Sequence, residues 1–254
     1  MERLTTRMAF AIVIENLTKD YGDVRAVDGL SLSIPEAEVF GLLGPNGSGK
    51  TTTINCLTGL VKPTGGTLKV GGHDVQTESS EARAVMGVSP QETAIFPYLT
   101  GRENVELFGA LYSVPKKRLG AGVDQMMEKV GLMDEARRRV SKYSGGMKRR
   151  VSIAMALVQD PEIVLLDEPT VGMDPQSRRA IWDFIMELRD KGKTIVLTTH
   201  YMEEAEELCD RVGIIDHGKL IALGSPAELK SKYGARDLED VFIQLTGRRI
   251  REGA

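Results

Sequence analysis

Val39-Phe40-Gly41-Leu42-Leu43-Gly44-Pro45-Asn46-Gly47-Ser48-Gly49-Lys50-Thr51 is the stretch that decides the fold. Val39 to Leu43 is apolar on both faces, as a parallel strand buried under helices must be. Gly44 to Thr51 then fits G-x-x-x-x-G-K-[ST], and Thr52 to Leu60 reads as a helix. Gly44, Gly47 and Gly49 let the backbone curl so that successive amides point at phosphate oxygens, and the helix adds the positive end of its dipole. Gly44, Pro45, Asn46, Gly47, Ser48, Gly49, Lys50, Thr51 and Thr52 are therefore the expected nucleotide contacts. Lys50 should reach the β- and γ-phosphates, and the Thr51 hydroxyl should hold Mg²⁺. A chance Gly-Lys-Thr in a loop would lack the strand before it and the helix after it.

Ile163-Val164-Leu165-Leu166-Asp167-Glu168-Pro169 is a second buried strand, and it ends in two carboxylates. Ligands of open α/β sheets bind at such strand ends. Asp167 is expected to support the magnesium, and Glu168, facing the other way, to polarise an attacking water. Helix capping is the plain alternative, but Pro169 and the delayed helix near Gln176 make capping unnatural here. Thr194-Ile195-Val196-Leu197 is a third buried strand. Short apolar runs alternating with amphipathic stretches give an α/β core.

Around this core the pattern changes. Ala11 to Asn16, Leu30 to Ile34 and Thr67 to Val70 look like antiparallel strands flanking the first buried one. Arg102 to Leu111, Lys116 to Val130 and Gly145 to Leu157 are helical, with no strand between them. Near the C-terminus, Arg211 to Asp216 and Leu220 to Leu223 form a hairpin around His217-Gly218-Lys219. Ser225-Pro226-Ala227-Glu228 then starts a helix, with Ser225 as N-cap and Glu228 completing a capping box.

Composition narrows the class. The 254 residues carry 33 Lys and Arg against 36 Asp and Glu, a net charge of −3, which is not the basic footprint of a nucleic-acid binder. Cys56 and Cys209 form no CxxC pair, so a zinc site or disulfide framework is not expected, and a reducing compartment fits. No apolar run reaches the ~18 residues that span a bilayer. The run Met8 to Ile14 stops at Glu15, too short for a signal peptide, so residues 1–10 read as a frayed lead-in.

Tyr143-Ser144-Gly145-Gly146-Met147-Lys148-Arg149-Arg150 precedes the carboxylate strand. A phosphate loop, a serine-diglycine sequence and a strand ending in Asp-Glu, in that order, resemble the ABC ATPase family across nearly the whole chain. The family's other elements are present in sequence. Tyr21 stands where its aromatic stacks on adenine. Gln91, after Val88-Ser89-Pro90, resembles the glutamine that senses Mg²⁺ and links to the membrane partner. Asp174, in Val171-Gly172-Met173-Asp174, stands at the position of a subunit contact, and His200 resembles the switch histidine at the γ-phosphate.

The resemblance implies an α/β P-loop NTPase core with an N-terminal antiparallel β subdomain and an inserted α-helical signature subdomain. It places an ATPase domain over 1–230, with the helical subdomain at about 92–158, and a C-terminal helical tail over 231–254. ATP would be sandwiched between two chains. Lys50 and Thr51 of one would face Ser144, Gly145 and Gly146 of the other, where Ser144 caps the helix and its amides approach the phosphate. Mg²⁺ would be held through Thr51, Gln91 and Asp167; Glu168, Lys50 and His200 would be catalytic.

Tyr143 replaces the family's usual leucine and Met147 its usual glutamine. Neither change touches the serine hydroxyl or the glycine amides. YSGGMKRR, with Gly71 to Val75, Leu99 to Asn104 and the tail Leu238 to Arg248, is similar to the daunorubicin-resistance and ABC-2-type export ATPases. The expected partners are an integral-membrane permease and a second ATP-binding subunit, a homodimer at the cytoplasmic face of the membrane as a peripheral protein, without nucleic acid. The alternative is a non-transport ABC ATPase of translation or DNA repair, which would need two cassettes, a long coiled coil or a zinc hook.

Overall fold

Residues 10–247 of the chain are described by the computed structural model. β1 (Phe10–Tyr21) and β2 (Val24–Pro35) pair antiparallel, and β4 (Gly65–Val70) and β5 (His73–Asp74) extend the sheet in the order β2-β1-β4-β5. The second sheet runs β10-β9-β3-β8-β7-β6. In it, β3 (Val39–Leu43), β6 (Met86–Ser89), β7 (Ile163–Asp167), β8 (Thr194–Thr199) and β9 (Arg211–Asp216) are parallel. β10 (Lys219–Gly224) folds back antiparallel at the edge.

The two-faced apolar strands explain the layering. Phe40 and Leu42 of β3 join Ile163 and Leu165 of β7 in one core, shared with β1, β2, β4 and the helix α1 (Lys50–Leu57). Val39 and Leu43, with Val164 and Leu166, face the opposite core. That second core is built with α4 (Lys116–Lys129), α5 (Gly145–Leu157), α6 (Pro175–Asp190) and α7 (Met202–Leu208). Side chains alternating across each strand assign successive residues to different cores. Burying one Phe40-sized side chain contributes about 1.5–3 kcal/mol.

Three expectations are corrected. The N-terminal antiparallel strands do not flank β3; they form their own sheet, packed onto β3 through α1 and a shared core. The first helix starts earlier and ends earlier than Thr52 to Leu60, because Gly49 is its N-cap and Thr58 its C-cap. β6, α2 (Ser79–Ala84) and α7 had no sequence-based counterpart: each is seven residues or fewer, too short to establish a period.

The helical stretch contains α3 (Gly101–Leu111), α4 and α5, as expected to within a residue. Thr100 caps α3 through a full capping box with Glu103, and Asn104, fully buried, donates to the carbonyls of Phe96 and Thr100. Past the hairpin, Ser225 caps α8 (Pro226–Tyr233) with the expected Glu228 box, and α9 (Leu238–Thr246) follows. Residue 230 falls inside α8. Leu238, Val241 and Phe242 are fully buried against the same core as Ala205 and Leu208. Phe10 is the first residue of β1, which shortens the lead-in expected over 1–10, while residues 1–9 and the last residues of the tail, 248–254, lie outside the described residues.

Candidate nucleotide-hydrolysis site

Register brings the functional ends together. Leu43 pairs with Thr199, and Asp167 pairs with Thr198, so β3, β7 and β8 finish at one carboxyl edge. The phosphate loop, Glu168 and His200 all emerge there. Ser89 pairs with Leu166, which delivers Gln91 to the same edge.

The loop ends at Gly49, whose φ of 106° admits glycine readily and most side chains at a cost. A Cβ there would also lie 2.5 Å from the Ala26 carbonyl oxygen. No side chain caps α1, so its first-turn amides face the loop's concavity. Ser48 is buried, and its hydroxyl has no hydrogen-bond partner among the described residues. Tyr21, Ala26, Asn46, Gly47, Gly49, Lys50, Thr51, Thr52, Gln91 and Glu168 line a cavity of about 320 Å³ beside this loop. Tyr21 is 47% exposed at its rim, with the Lys19 ammonium 4.7 Å from the ring centroid.

Inside, charges converge. Lys50, 4% exposed, donates through Nζ to the carbonyls of Gly44 (2.7 Å) and Pro45 (3.0 Å) and lies 3.8 Å from Glu168 Oε1. Burial lowers the Lys50 pKa, and the Glu168 and Asp167 carboxylates partly restore it. Glu168 Oε2 accepts from Gln91 Nε2 at 3.0 Å, and Oε1 lies 3.1 Å from His200 Nδ1. An ionised carboxylate only accepts, so Nδ1 carries the proton in this pair. Burial, the largest single influence on Glu168, raises its pKa. The His200 hydrogen bond and charge, the Lys50 charge and the Gln91 hydrogen bond outweigh it and hold the carboxyl below its ordinary value.

Backbone geometry separates the two carboxylates. Glu168 has φ 52°, the left-handed region, and its N–H is held by the Thr198 hydroxyl (2.9 Å). Asp167, by contrast, points into the sheet edge and accepts from that same hydroxyl. Left-handed backbone at a glutamate costs roughly 1–3 kcal/mol, a strain typical of functional sites. Thr51 Oγ1 lies 3.5 Å from Gln91 Oε1. The Thr51 hydroxyl and the Gln91 amide oxygen are hard donors on the cavity wall, suited to Mg²⁺ shared with phosphate and water. The Asp167 carboxylate, 1% exposed, does not line the cavity and would act on the ion only through its water shell. The uncapped helix start, the unpartnered Ser48 hydroxyl and the half-exposed Tyr21 fit a purine nucleoside polyphosphate.

The other expected residues form a second cluster. Ser144 caps α5 by accepting from the Met147 amide at 3.2 Å. Gly146 packs on Gly172 and Met173, and Asp174 caps α6 through the Ser177 amide at 2.9 Å. Ser144, Gly145, Gly146 and Asp174 do not line the cavity that holds Lys50. The replaced leucine has a local reason: the Tyr143 hydroxyl donates to the Glu135 carbonyl at 2.5 Å, and the ring fits only because Gly101 has no side chain.

Thr198 and Arg149 were not singled out from sequence. Arg149 left no periodic signal, because every residue of α5 from Val151 to Leu157 is buried and no single stripe marks its face. A larger cavity of about 740 Å³ lies between α4 and α6, but none of the expected site residues lines it. Its Lys129, Lys191 and Lys193 are ion-paired with Glu187 and Asp160.

Comparison with known proteins identifies the family. The family profile described as ABC transporter matches residues 27–171. The linearmycin resistance ATP-binding protein of Bacillus subtilis is 44% identical over 238 residues, 94% of this chain and 75% of that protein. The daunorubicin/doxorubicin resistance ATP-binding protein of Streptomyces peucetius is 43% identical, covering 92% of this chain and 71% of that one. The Nod factor export ATP-binding protein I of Paraburkholderia xenovorans is 44% identical over 91% and 76%. Among solved structures, an ATP-binding subunit of an ABC transporter superposes with a TM-score of 0.85 at 25% identity, over 93% of this chain and 99% of that one. A dimeric ATP-binding cassette in a post-hydrolysis state with ADP and phosphate gives 0.78 at 28% identity, over 84% and 98%. The chain belongs to the ABC transporter family, as an ATP-binding and ATP-hydrolysing subunit.

Proposed function

We propose that this subunit powers an ABC-2-type exporter, binding ATP with Mg²⁺ between two copies and driving a separate integral-membrane permease at the cytoplasmic face of the membrane. The observation that carries the catalytic part is Glu168, an ionised carboxylate within hydrogen-bond reach of Gln91 and His200 and 3.8 Å from Lys50. Glu168 accepts the proton of the attacking water or orients it; Lys50 and His200 stabilise charge developing on the γ-phosphoryl group. Thr51, Gln91 and Asp167 are the residues that would hold Mg²⁺, which when bound neutralises charge across the β- and γ-phosphates. Tyr21 supplies a stacking face for adenine.

The dimer reading rests on separation within one chain: the Ser144 helix start does not line the Lys50 cavity. A second copy, turned about, would bring its Ser144, Gly145 and Gly146 amides to that ATP, with Asp174 at the subunit contact. The division into an ATPase domain over 1–230, with a helical subdomain at about 92–158, and a tail over 231–254 belongs to the same reading. Among the described residues no helix is long and apolar enough to cross a membrane. Docking of the permease is assigned to the surface around Gln91 and the helices after Thr100, where Phe96 is 48% and Tyr98 81% exposed. Export is supported by the roles of the relatives in drug resistance and Nod factor export. The longest described helix, α6, has 16 residues, far short of a coiled-coil insert.

Gel filtration of Glu168→Gln tests the reading. With ATP and Mg²⁺ it should elute as a dimer, and without nucleotide as a monomer. A monomer under both conditions removes the shared-site mechanism.

A further inference from the structure

Arg149 is buried to 4% exposure in the second turn of α5, and among the described residues no carboxylate forms a salt bridge with it. Its guanidinium instead gathers backbone carbonyls from two other segments. Nη1 donates to Pro90 and, at 3.1 Å, to Gln91. Nη2 donates to Asp167, and Nε to Pro169 at 3.4 Å. The first two acceptors fix the main chain at Gln91. The second two stand on either side of Glu168. One side chain therefore pins the backbone of both residues whose side chains meet at 3.0 Å in the catalytic pair.

Burial pulls the Arg149 pKa down to about 10, opposed by the charges of Asp167, Glu168 and Glu204, so it remains a cation at neutral pH. Glu204 is itself buried and accepts from Thr170 and Trp182, which ties the same charge group to the loop before α6. A buried cation is a poor device for stability alone, since an apolar side chain of similar volume generally serves as well. What a guanidinium offers is five donors in a rigid planar fork, which fixes direction as well as distance.

The fork's base lies on α5, and the N-terminus of α5 carries Ser144, Gly145 and Gly146. Any tilt of that helix must move the Gln91 and Pro169 carbonyls or break their hydrogen bonds. We propose that Arg149 is a positioning residue that couples the orientation of the signature helix to the Gln91–Glu168 pair. The carboxylate is then aimed at its water when that helix has seated on ATP held by the second subunit. The inference rests on the proposed roles of Gln91, Glu168 and the shared site.

The test is a double-mutant cycle in kcat, with KM for ATP and thermal unfolding measured alongside. Lysine keeps the charge but loses the fork. Arg149→Lys should lower kcat by about 10- to 100-fold, the cost of a misplaced catalytic group, with KM within about threefold. If Arg149 acts through Gln91, the loss in Arg149→Lys/Gln91→Ala should be far smaller than the product of the two single losses. A multiplicative double variant overturns the coupling, as does Arg149→Lys with kcat within twofold of the parent. A fall in kcat accompanied by an equal rise in KM and a collapsed unfolding temperature makes Arg149 a core support only, and also overturns it. Arg149→Gln replaces the lysine variant if that protein does not fold; if neither folds, the support reading stands and the proposal fails. Glu168→Gln, run in parallel, keeps the two readings apart: full activity there rejects the site itself, whereas an inactive Glu168→Gln with a multiplicative cycle rejects only the role of Arg149.

Discussion

Glu168 is held in a left-handed backbone conformation with both carboxylate oxygens engaged, so its chemistry and its geometry can be tested separately. Glutamine preserves shape and removes the base. Glu168→Gln should lower kcat by about 10²- to 10⁴-fold while ATP still binds, as read by steady-state hydrolysis beside equilibrium nucleotide binding. The folded-state carboxyl lies below its ordinary value, so it contributes stability above the unfolded pKa and loses it as pH falls through the lower folded pKa. Unfolding temperature measured against pH should therefore drop less steeply on the acid side in Glu168→Gln than in the parent. An unchanged acid slope would mean the carboxylate gains nothing from His200 and Lys50. At the cavity rim, Tyr21→Ala should raise KM for ATP roughly tenfold through lost stacking and leave kcat nearly intact, a split read from the same kinetics.

At the scale of elements, the proposed function gives α5 two duties, and one substitution at its cap separates them. Ser144→Ala removes the hydrogen bond to the Met147 amide, worth about 1 kcal/mol of folding stability. Hydrolysis should fall by much more than that loss explains if the same hydroxyl and amides face the second subunit's phosphate; kcat and unfolding temperature of this variant decide it. α9 is an integral part of the core, so Phe242→Ala should cost about 3–5 kcal/mol in denaturant unfolding. β3, β7 and β8 were legible from sequence because burial on both faces leaves continuous apolar runs. The phosphate loop was legible because its geometry demands glycines at fixed offsets. β6 carries only Met86 to Ser89, and nothing local distinguishes so short a run. Nor does any local pattern separate strands that flank β3 from strands that form a second sheet above it: that depends on which face α1 covers. Thr198 and Arg149 were hidden for a related reason. Thr198 meets the Glu168 amide and the Asp167 carboxylate 30 and 31 residues away, and Arg149 meets carbonyls 18 to 59 residues away, so no local spacing marks either one.

For the whole molecule, the proposed function makes one chain the carrier of two half-sites. The Lys50 cavity opens at the carboxyl edge of the parallel sheet, and the Ser144 helix start packs with Gly172 and Met173 instead of lining it. A complete site then needs two chains, and the rate per subunit must depend on how often they meet. The measurement that tests this most directly is the Mg²⁺-dependent ATPase rate per subunit as a function of protein concentration, for the parent and Glu168→Gln. A rate per subunit that rises with concentration toward a plateau, and that is abolished in Glu168→Gln at every concentration, is the predicted result. A rate per subunit that stays constant on dilution well below the dimer's dissociation constant, or one that survives the loss of the Glu168 carboxylate, would contradict the shared site.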